Sequence, residues 1–377
     1  MKTFPATENF STLFDGAIVA CIGRHSPSRV DMRILALVLV VFAFEVVCKT
    51  QLAHEEFKEW MKIHSKNYNV KEIQHRFKVW KQNRDFVNDW NSKVQNASSH
   101  EVRLALNHIA DLTHEEFRKF YLGLKPHQQQ LSRRMEQQAS VIQPESDNGD
   151  DDMEILETYL KQISPNSDSP TPTTPVKFDW RDVQGALTVP KAQLWCGGCY
   201  AFSATAALET CLFMKTGKLV SLSEQNLIDC SWSYGNEGCL GGLMTNAFDY
   251  MLKSGGINSE KVYPYLAGEG KCAFKADQIV ASVKKYINLK FGDENVLQMA
   301  VMQNPVCIGI DADPPSFQFY SSGVYKDAKC SSTELNHGVT LVGYGVTTEG
   351  VQYWVVRNRY EKKKFEFFFY KNQKTKN

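Results

Sequence analysis

Lys191-Ala192-Gln193-Leu194-Trp195-Cys196-Gly197-Gly198-Cys199-Tyr200-Ala201-Phe202 reads as a loop passing into a helix that continues to about Lys215 and stops at Gly217. Cys199 therefore falls at or near a helix N-terminus. There the dipole and the unsatisfied N–H groups favour a thiolate, the reactive form of cysteine. Two other chemistries share the Cys-x-x-Cys spacing. A thioredoxin-type redox pair should follow a strand of a βαβ unit, whereas Val189-Pro190-Lys191-Ala192-Gln193-Leu194 reads as a loop. A zinc ribbon needs a second close pair, and Cys230, Cys239 and Cys272 are spaced too widely for one. A nucleophilic thiol needing neither metal nor cofactor is the better reading, with disulfide exchange as the alternative.

A thiol nucleophile needs a base. Eight of the nine histidines lie at or before His127, which leaves His337 as the one imidazole in the region around and after Cys199. Gly338 to Val346 and Val351 to Arg357 are strand-like runs separated by Thr347-Thr348-Glu349-Gly350. An antiparallel hairpin centred near Thr347-Thr348 sets His337 opposite Asn358. An amide carbonyl there would fix the tautomer and orientation of the imidazole.

These residues resemble the active site of papain-family cysteine proteases of the cathepsin L type. The family signature around the nucleophile is C-G-[SA]-C-[WY], and this chain reads C-G-G-C-Y, departing at Gly198. The spacing from Cys199 to His337 lies within the ~130–150 residues typical of the family. The resemblance implies that Gln193 is the oxyanion-hole amide, acting with the Cys199 backbone N–H. It implies that Gly241 and Gly242, in Gly238-Cys239-Leu240-Gly241-Gly242, form a wall where a peptide backbone approaches closely. Leu243, Met244, Gly309 and Leu335, with Asn336, match substrate-contacting positions. All but the last are apolar or small, so a bulky hydrophobic residue two places before the scissile bond is expected. The family pattern also pairs Cys196 with Cys239 and Cys230 with Cys272, leaving Cys211, Cys307 and Cys330. Ser221-Leu222-Ser223-Glu224-Gln225 has capping-box spacing and opens a helix ending near Cys230.

Upstream, two helices are expected, one from Leu52 to about Ser65 and one in which Glu72, Arg76, Trp80, Asn83, Val87 and Asn91 share a stripe. Polar and apolar residues mixed on one stripe point to internal salt links such as Glu72 with Arg76. The stripe resembles the ERFNIN pattern of cathepsin L-like propeptides, spelled here E-R-W-N-V-N. Ala105-x-Asn107-x-Ile109-x-Asp111 resembles their second motif. An inhibitory prodomain over residues 49–124 follows from the resemblance, held at neutral pH by carboxylates such as Glu72 and Asp111. Met32-Arg33, the apolar run Ile34 to Phe44 and the residues up to Cys48 read as a signal peptide, 32–48, too short to anchor in a membrane. Residues 1–31 precede it and read as a spurious extension. Asn96-Ala97-Ser98 is a glycosylation sequon. Residues 125–174, with Gln128-Gln129-Gln130, an acidic run and repeated Ser, Thr and Pro, read as a flexible activation linker, with a short helix at Met153 to Gln162.

Ten cysteines and the leader place the chain in the secretory pathway, lysosomal or extracellular. A net charge of +1 argues against nucleic acid as the partner. The expected partners are protein and peptide substrates and the chain's own propeptide, on a monomer. The fold expected is α+β: a helical prodomain, then a peptidase domain at 175–358 with a helical subdomain carrying Cys199 and a β-barrel-like one carrying His337 and Asn358. After Asn358 the family continues Ser-Trp-Gly, whereas this chain gives Arg359-Tyr360 and the Lys/Phe-rich stretch Glu361 to Lys371. Residues 359–377 therefore read as an aberrant tail, the closing strands as missing, and a sheet edge as left open. An inactive homologue acting as inhibitor or decoy is the corresponding alternative function.

Overall fold

The structure, a computed structural model, describes residues 32–94, 100–125, 139–142, 175–289, 292–358 and 366–370. The sequon at Asn96, residues 1–31, the expected helix at 153–162 and the tail outside 366–370 lie outside the described residues. The chain divides into two compact units, one ending at Asn67 and one beginning at Tyr68.

The first unit is built on α1 (Met32–Ile63). The sequence predicts a helix only from Leu52, but nothing between Ile34 and Leu52 breaks one. The stretch has no Gly and no Pro, so a single helix runs through. On it the rings of Phe57 and Trp60 stack at 5.8 Å. No helix among the described residues is long and apolar enough to cross a membrane.

The second unit opens with α2 (Val70–Lys93), capped by the Asn69 side chain. Its stripe splints the extended chain beside it. Asn83 donates to the carbonyls of Ala110 and Leu112 at 2.8 and 2.9 Å. Asn91 exchanges two bonds with Leu104 in β1 (Arg103–Leu104). Arg76 reaches Glu72 at 3.2 Å, but it also takes Glu116 at 2.8 Å and the Asp111 carbonyl. Trp80 and Val87 supply the buried apolar points. Helix α3 (His114–Tyr121) starts from a capping box of Thr113 and Glu116.

The segment β2 (Ala139–Ile142) follows, then β3 (Phe178–Asp179). A mostly helical lobe comes next: α4 (Cys199–Thr216), ended by Gly217 at φ 69°, then α5 (Glu224–Cys230) and α6 (Met244–Ser254). The cap of α5 is Ser223, accepting from the Asn226 N–H, not Ser221. Glu224 is thereby freed to bind Lys191 at 2.6 Å, beside Glu209 at 2.9 Å, and this buried triad ties α4 and α5 to the loop before Cys196. Strands β4 (Ile257–Asn258) and β5 (Ile279–Ala281) pair beside this lobe.

The sheet lobe contains β6 (Tyr286–Leu289), α7 (Glu294–Gln303), β7 (Val306–Ile310), α8 (Pro315–Gln318), β8 (Tyr320–Ser322) and β9 (Val324–Tyr325). It ends with β10 (His337–Val346), β11 (Gln352–Arg357) and β12 (Glu366–Tyr370). The main sheet runs β6-β2-β7-β10-β11-β12-β9, with β3 also on β10.

Two expectations are corrected here. The stretch 125–174, expected to be a flexible activation linker, contributes β2, an interior strand of this sheet. The edge of β11 is not open, because β12 pairs with it antiparallel from Tyr353↔Tyr370 to Arg357↔Glu366. Four consecutive aromatics, Phe367 to Tyr370, have the β-propensity to add such a strand, although they lack alternation.

Candidate active site

Cys199 is the first residue of α4 and is 1% exposed. Its Sγ accepts the Gly338 N–H at 3.3 Å, which brings the start of β10 against the start of α4. His337 opens β10 and Asn358 directly follows β11; both are fully buried. His337 Nε2 lies 2.8 Å from Asn358 Oδ1. A carbonyl oxygen can only accept, so Nε2 carries the proton and Nδ1 is the nitrogen able to exchange one.

The hairpin register differs from the sequence expectation. Thr347 and Val351 close the loop, centring the turn on Glu349, and a bulge near Val342 shifts the pairing again. Thr340 pairs with Arg357, so His337 is not directly opposite Asn358. The two side chains meet diagonally across the strands, a separation that polar side chains can bridge. Phe317 packs edge-on against His337 at 6.3 Å, and Phe369 of β12 packs on Phe317 at 5.9 Å. One aromatic ring, Phe317 of α8, thus lies on the imidazole, backed by a second from β12.

Gln193 is fully buried. Its Nε2 donates to the carbonyls of Cys196 at 3.2 Å and of Phe120 and Tyr121 at 3.3 Å each. Tyr265 Oη donates to the Gln193 carbonyl, fixing the backbone that carries this amide. Cys196 is joined to Cys239 and Cys230 to Cys272. Cys196 is therefore committed to the wall loop and not to Cys199, which removes the redox reading of the Cys-x-x-Cys pair. Cys211 and Cys330 remain thiols, and Cys307 donates to the Ser203 carbonyl. Among the described residues no cluster of three His, Cys, Asp or Glu could hold a metal.

The cleft between these groups is filled by the chain's own residues 120–125. Gly242 donates to the Gly123 carbonyl at 2.8 Å and accepts the Lys125 N–H, while Asn336 O accepts the Leu124 N–H at 3.0 Å. Asn336 is itself held by Asp311, Ile310 and Ala312. Gly241, at φ 125°, approaches so closely that a Cβ there would lie 2.4 Å from the Gly123 carbonyl oxygen. Leu124 is 7% exposed and shares an apolar cluster with Met244 and Leu335, with Leu243 packed against it. A Cβ on Gly309 would meet the Leu124 and Leu335 methyls at 2.9 and 3.0 Å. All the substrate positions expected from sequence thus surround one short segment that sequence reasoning did not single out. Its only signal was a Gly-Leu pair ahead of the low-complexity stretch.

This segment changes the chemistry of the thiol. Burial pushes the Cys199 pKa up to about 11, against the opposing N–H groups of Gly338, Gly123 and Tyr200. The thiolate expected at a helix N-terminus is therefore suppressed while residues 120–125 cover it.

Residues 174–377 match the family model described as papain family cysteine protease, and residues 57–117 match the cathepsin propeptide inhibitor domain. The chain is 40% identical to cysteine proteinase 3 of Dictyostelium discoideum over 81% of each chain. It is 41% identical to a cathepsin L-like peptidase of Aedes aegypti, over 86% of this chain and 89% of that one. Among solved structures, digestive procathepsin L 3 of the Tenebrio molitor larval midgut superposes with a TM-score of 0.69 at 33% identity. That match covers 85% of this chain and 94% of the other.

Proposed function

The chain belongs to the papain family of cysteine proteases, as a cathepsin L-type precursor with its propeptide, and from that premise we propose how it works. Cys199 is the nucleophile, His337 its base, Asn358 the group that orients the imidazole, and Gln193 the oxyanion donor. Cys199 passes its proton to His337 and attacks the substrate carbonyl carbon. Gln193 Nε2 and the Cys199 N–H stabilise the oxyanion as it forms. His337 then protonates the departing amine, leaving a thioester that water hydrolyses with His337 as base.

The observation that carries this reading is the seat of residues 120–125. Backbone carbonyls of Phe120 and Tyr121 already lie on the Gln193 amide, and Leu124 fills the apolar pocket. The segment meets the thiol with a donor: Gly123 turns its N–H toward the sulfur and gives its carbonyl to Gly242, which works against attack on that residue. Leu124 in a pocket lined by Met244, Gly309 and Leu335 supports a preference for a bulky apolar residue two places before the scissile bond. Residues 49–124 are then the inhibitory prodomain and 175–358 the core of the peptidase. Two disulfides favour a secretory destination, lysosomal or extracellular.

The test is hydrolysis by the acid-activated full chain of two peptides differing only at that position, Leu against Asp. Strong preference for Leu, and loss of all turnover in Cys199→Ala, are expected. Undiminished hydrolysis by Cys199→Ala would overturn the assignment.

A further inference from the structure

Strand β2 stands in the wrong part of the chain to be an ordinary strand of a peptidase. It lies after the segment that fills the cleft and well before Lys177, yet it is interior to the main sheet. On one side Ala139 to Ile142 pair antiparallel with Leu289 to Tyr286. On the other, Ala139 pairs with Ile308 and Ser140 with Cys307. Among the described residues β6 pairs with no other strand, so β2 is all that joins β6 to the sheet.

The position matters to the site. β7 is the next strand in, and its Gly309 and Ile310 pair directly with Gly338 and His337. Val306 and Cys307 on β7 are fully buried, and Leu289 on β6 is 3% exposed. β2 also lies against α4, the helix that opens with Cys199, and against α7. Its sequence, Ala-Ser-Val-Ile, is small and then β-branched, as suits an interior strand. Taking it out would open backbone groups on two strands at once in a half-buried place, where Leu289 and Cys307 are buried and their other partners partly so, and unmade hydrogen bonds there are costly.

We propose that residues 139–142 are a constituent strand of the peptidase and not part of the segment discarded on activation. The slot between β6 and β7 is a strand-binding site for an extended tetrapeptide of small and β-branched residues, occupied in cis. The cut that frees the cleft then falls between Lys125 and Ala139. Any further cut between Ile142 and Pro175 leaves 139–142 bound as a separate peptide, held by its ladders. This goes beyond the catalytic reading, because it concerns the sheet and not the chemistry.

The experiment places one recognition sequence for a site-specific protease at 128–132 and a second at 165–170 in the full chain, in a Cys199→Ala background that cannot cut itself. After both cuts, native mass spectrometry is expected to find the peptide containing 139–142 bound one-to-one and released only in denaturant. Its separation on gel filtration, with the thermal midpoint of the remainder unchanged, would overturn the proposal. In the uncut chain the amides of Ser140 and Val141 should exchange at least ~100-fold more slowly than unstructured ones; exchange at the unstructured rate would equally overturn it. The catalytic reading fails separately. An active enzyme lacking 139–142 sinks only this inference, whereas an inactive acid-processed enzyme that retains the peptide sinks only the other.

Discussion

Replacing Leu124 with Ala should loosen the hold of the prosegment on the cleft by a calculable amount. Leu124 is 7% exposed, and its methyls meet Leu335 and the face of Gly309. The change removes three carbons from that pocket. At ~0.8 kcal/mol per buried methylene equivalent, the loss is about 2.4 kcal/mol, or roughly 60-fold in the population of open molecules. The covered thiol can be alkylated only from the open form, so the labelling rate of Cys199 in the intact full chain reports that population. Iodoacetamide at neutral pH, followed by peptide mapping to separate Cys199 from Cys211, Cys307 and Cys330, should show a rise of that order. Leu124→Met, which conserves volume, should change the rate only a few-fold. Equal labelling of Leu124→Ala and the parent would refute the reasoning, since the pocket contact would then not be what keeps the cleft closed.

Other outcomes follow from neighbouring groups. In the intact chain the Cys199 thiol stands at about 11, so only about one molecule in 10³ carries a thiolate at pH 8 and alkylation should still be climbing at pH 10; a plateau by pH 9 contradicts this. Burial alone would raise the Glu116 pKa, but hydrogen bonds from Arg76 and Thr113 outweigh it and hold the carboxyl below the usual glutamate range. A depressed carboxylate stabilises the prosegment above the ordinary pKa near ~4.3 and is lost as pH falls through the lower folded value. Acid processing should therefore steepen below about pH 4, and Glu116→Gln should process at a higher pH than the parent, read from the midpoint on gels. Lys191→Met should cost roughly 3–5 kcal/mol by stranding Glu209 and Glu224 in the interior, seen as a large fall in thermal midpoint. Asn358→Ala should lower kcat of the activated enzyme with little change in KM, since it orients His337 and touches no part of the pocket.

How much of this was legible beforehand differs by kind. The helix at Cys199, its stop at Gly217 and the pairing of His337 with Asn358 depend on local periodicity and a short hairpin, and such signals survive in a bare sequence. The register was misread because the loop closes between Thr347 and Val351, centring the turn on Glu349, and the bulge near Val342 takes back only one residue of that offset. Glu116 was overlooked in favour of Glu72 and Asp111, although Thr113-x-x-Glu116 carries the spacing of a capping box. Its partner Arg76 lies far away in sequence, so only packing reveals the pair. Strands β2 and β12 were both read as structureless because each sits in a stretch of biased composition. Neither forms by its own propensity alone; each completes a ladder whose other rails come from distant residues, and that information is tertiary.

The orientation of Gly123 has a practical side. Most peptides that enter a protease cleft are consumed by it, and tight binding delays that fate without preventing it. A compound copying Gly123-Leu124-Lys125 in the same direction would be spared by polarity, because the sulfur meets a donor where a substrate offers an electrophile. Its glycine could not be dressed for better fit, since a Cβ there would fall 1.8 Å from the Gly197 carbonyl oxygen, a backbone atom with little room to move. Chemistry could be added only along the Leu124 side chain or beyond Lys125, where Glu237 already supplies a counter-charge at 2.9 Å. The molecule thus carries the outline of a cleft ligand that offers its own enzyme a donor in place of an electrophile.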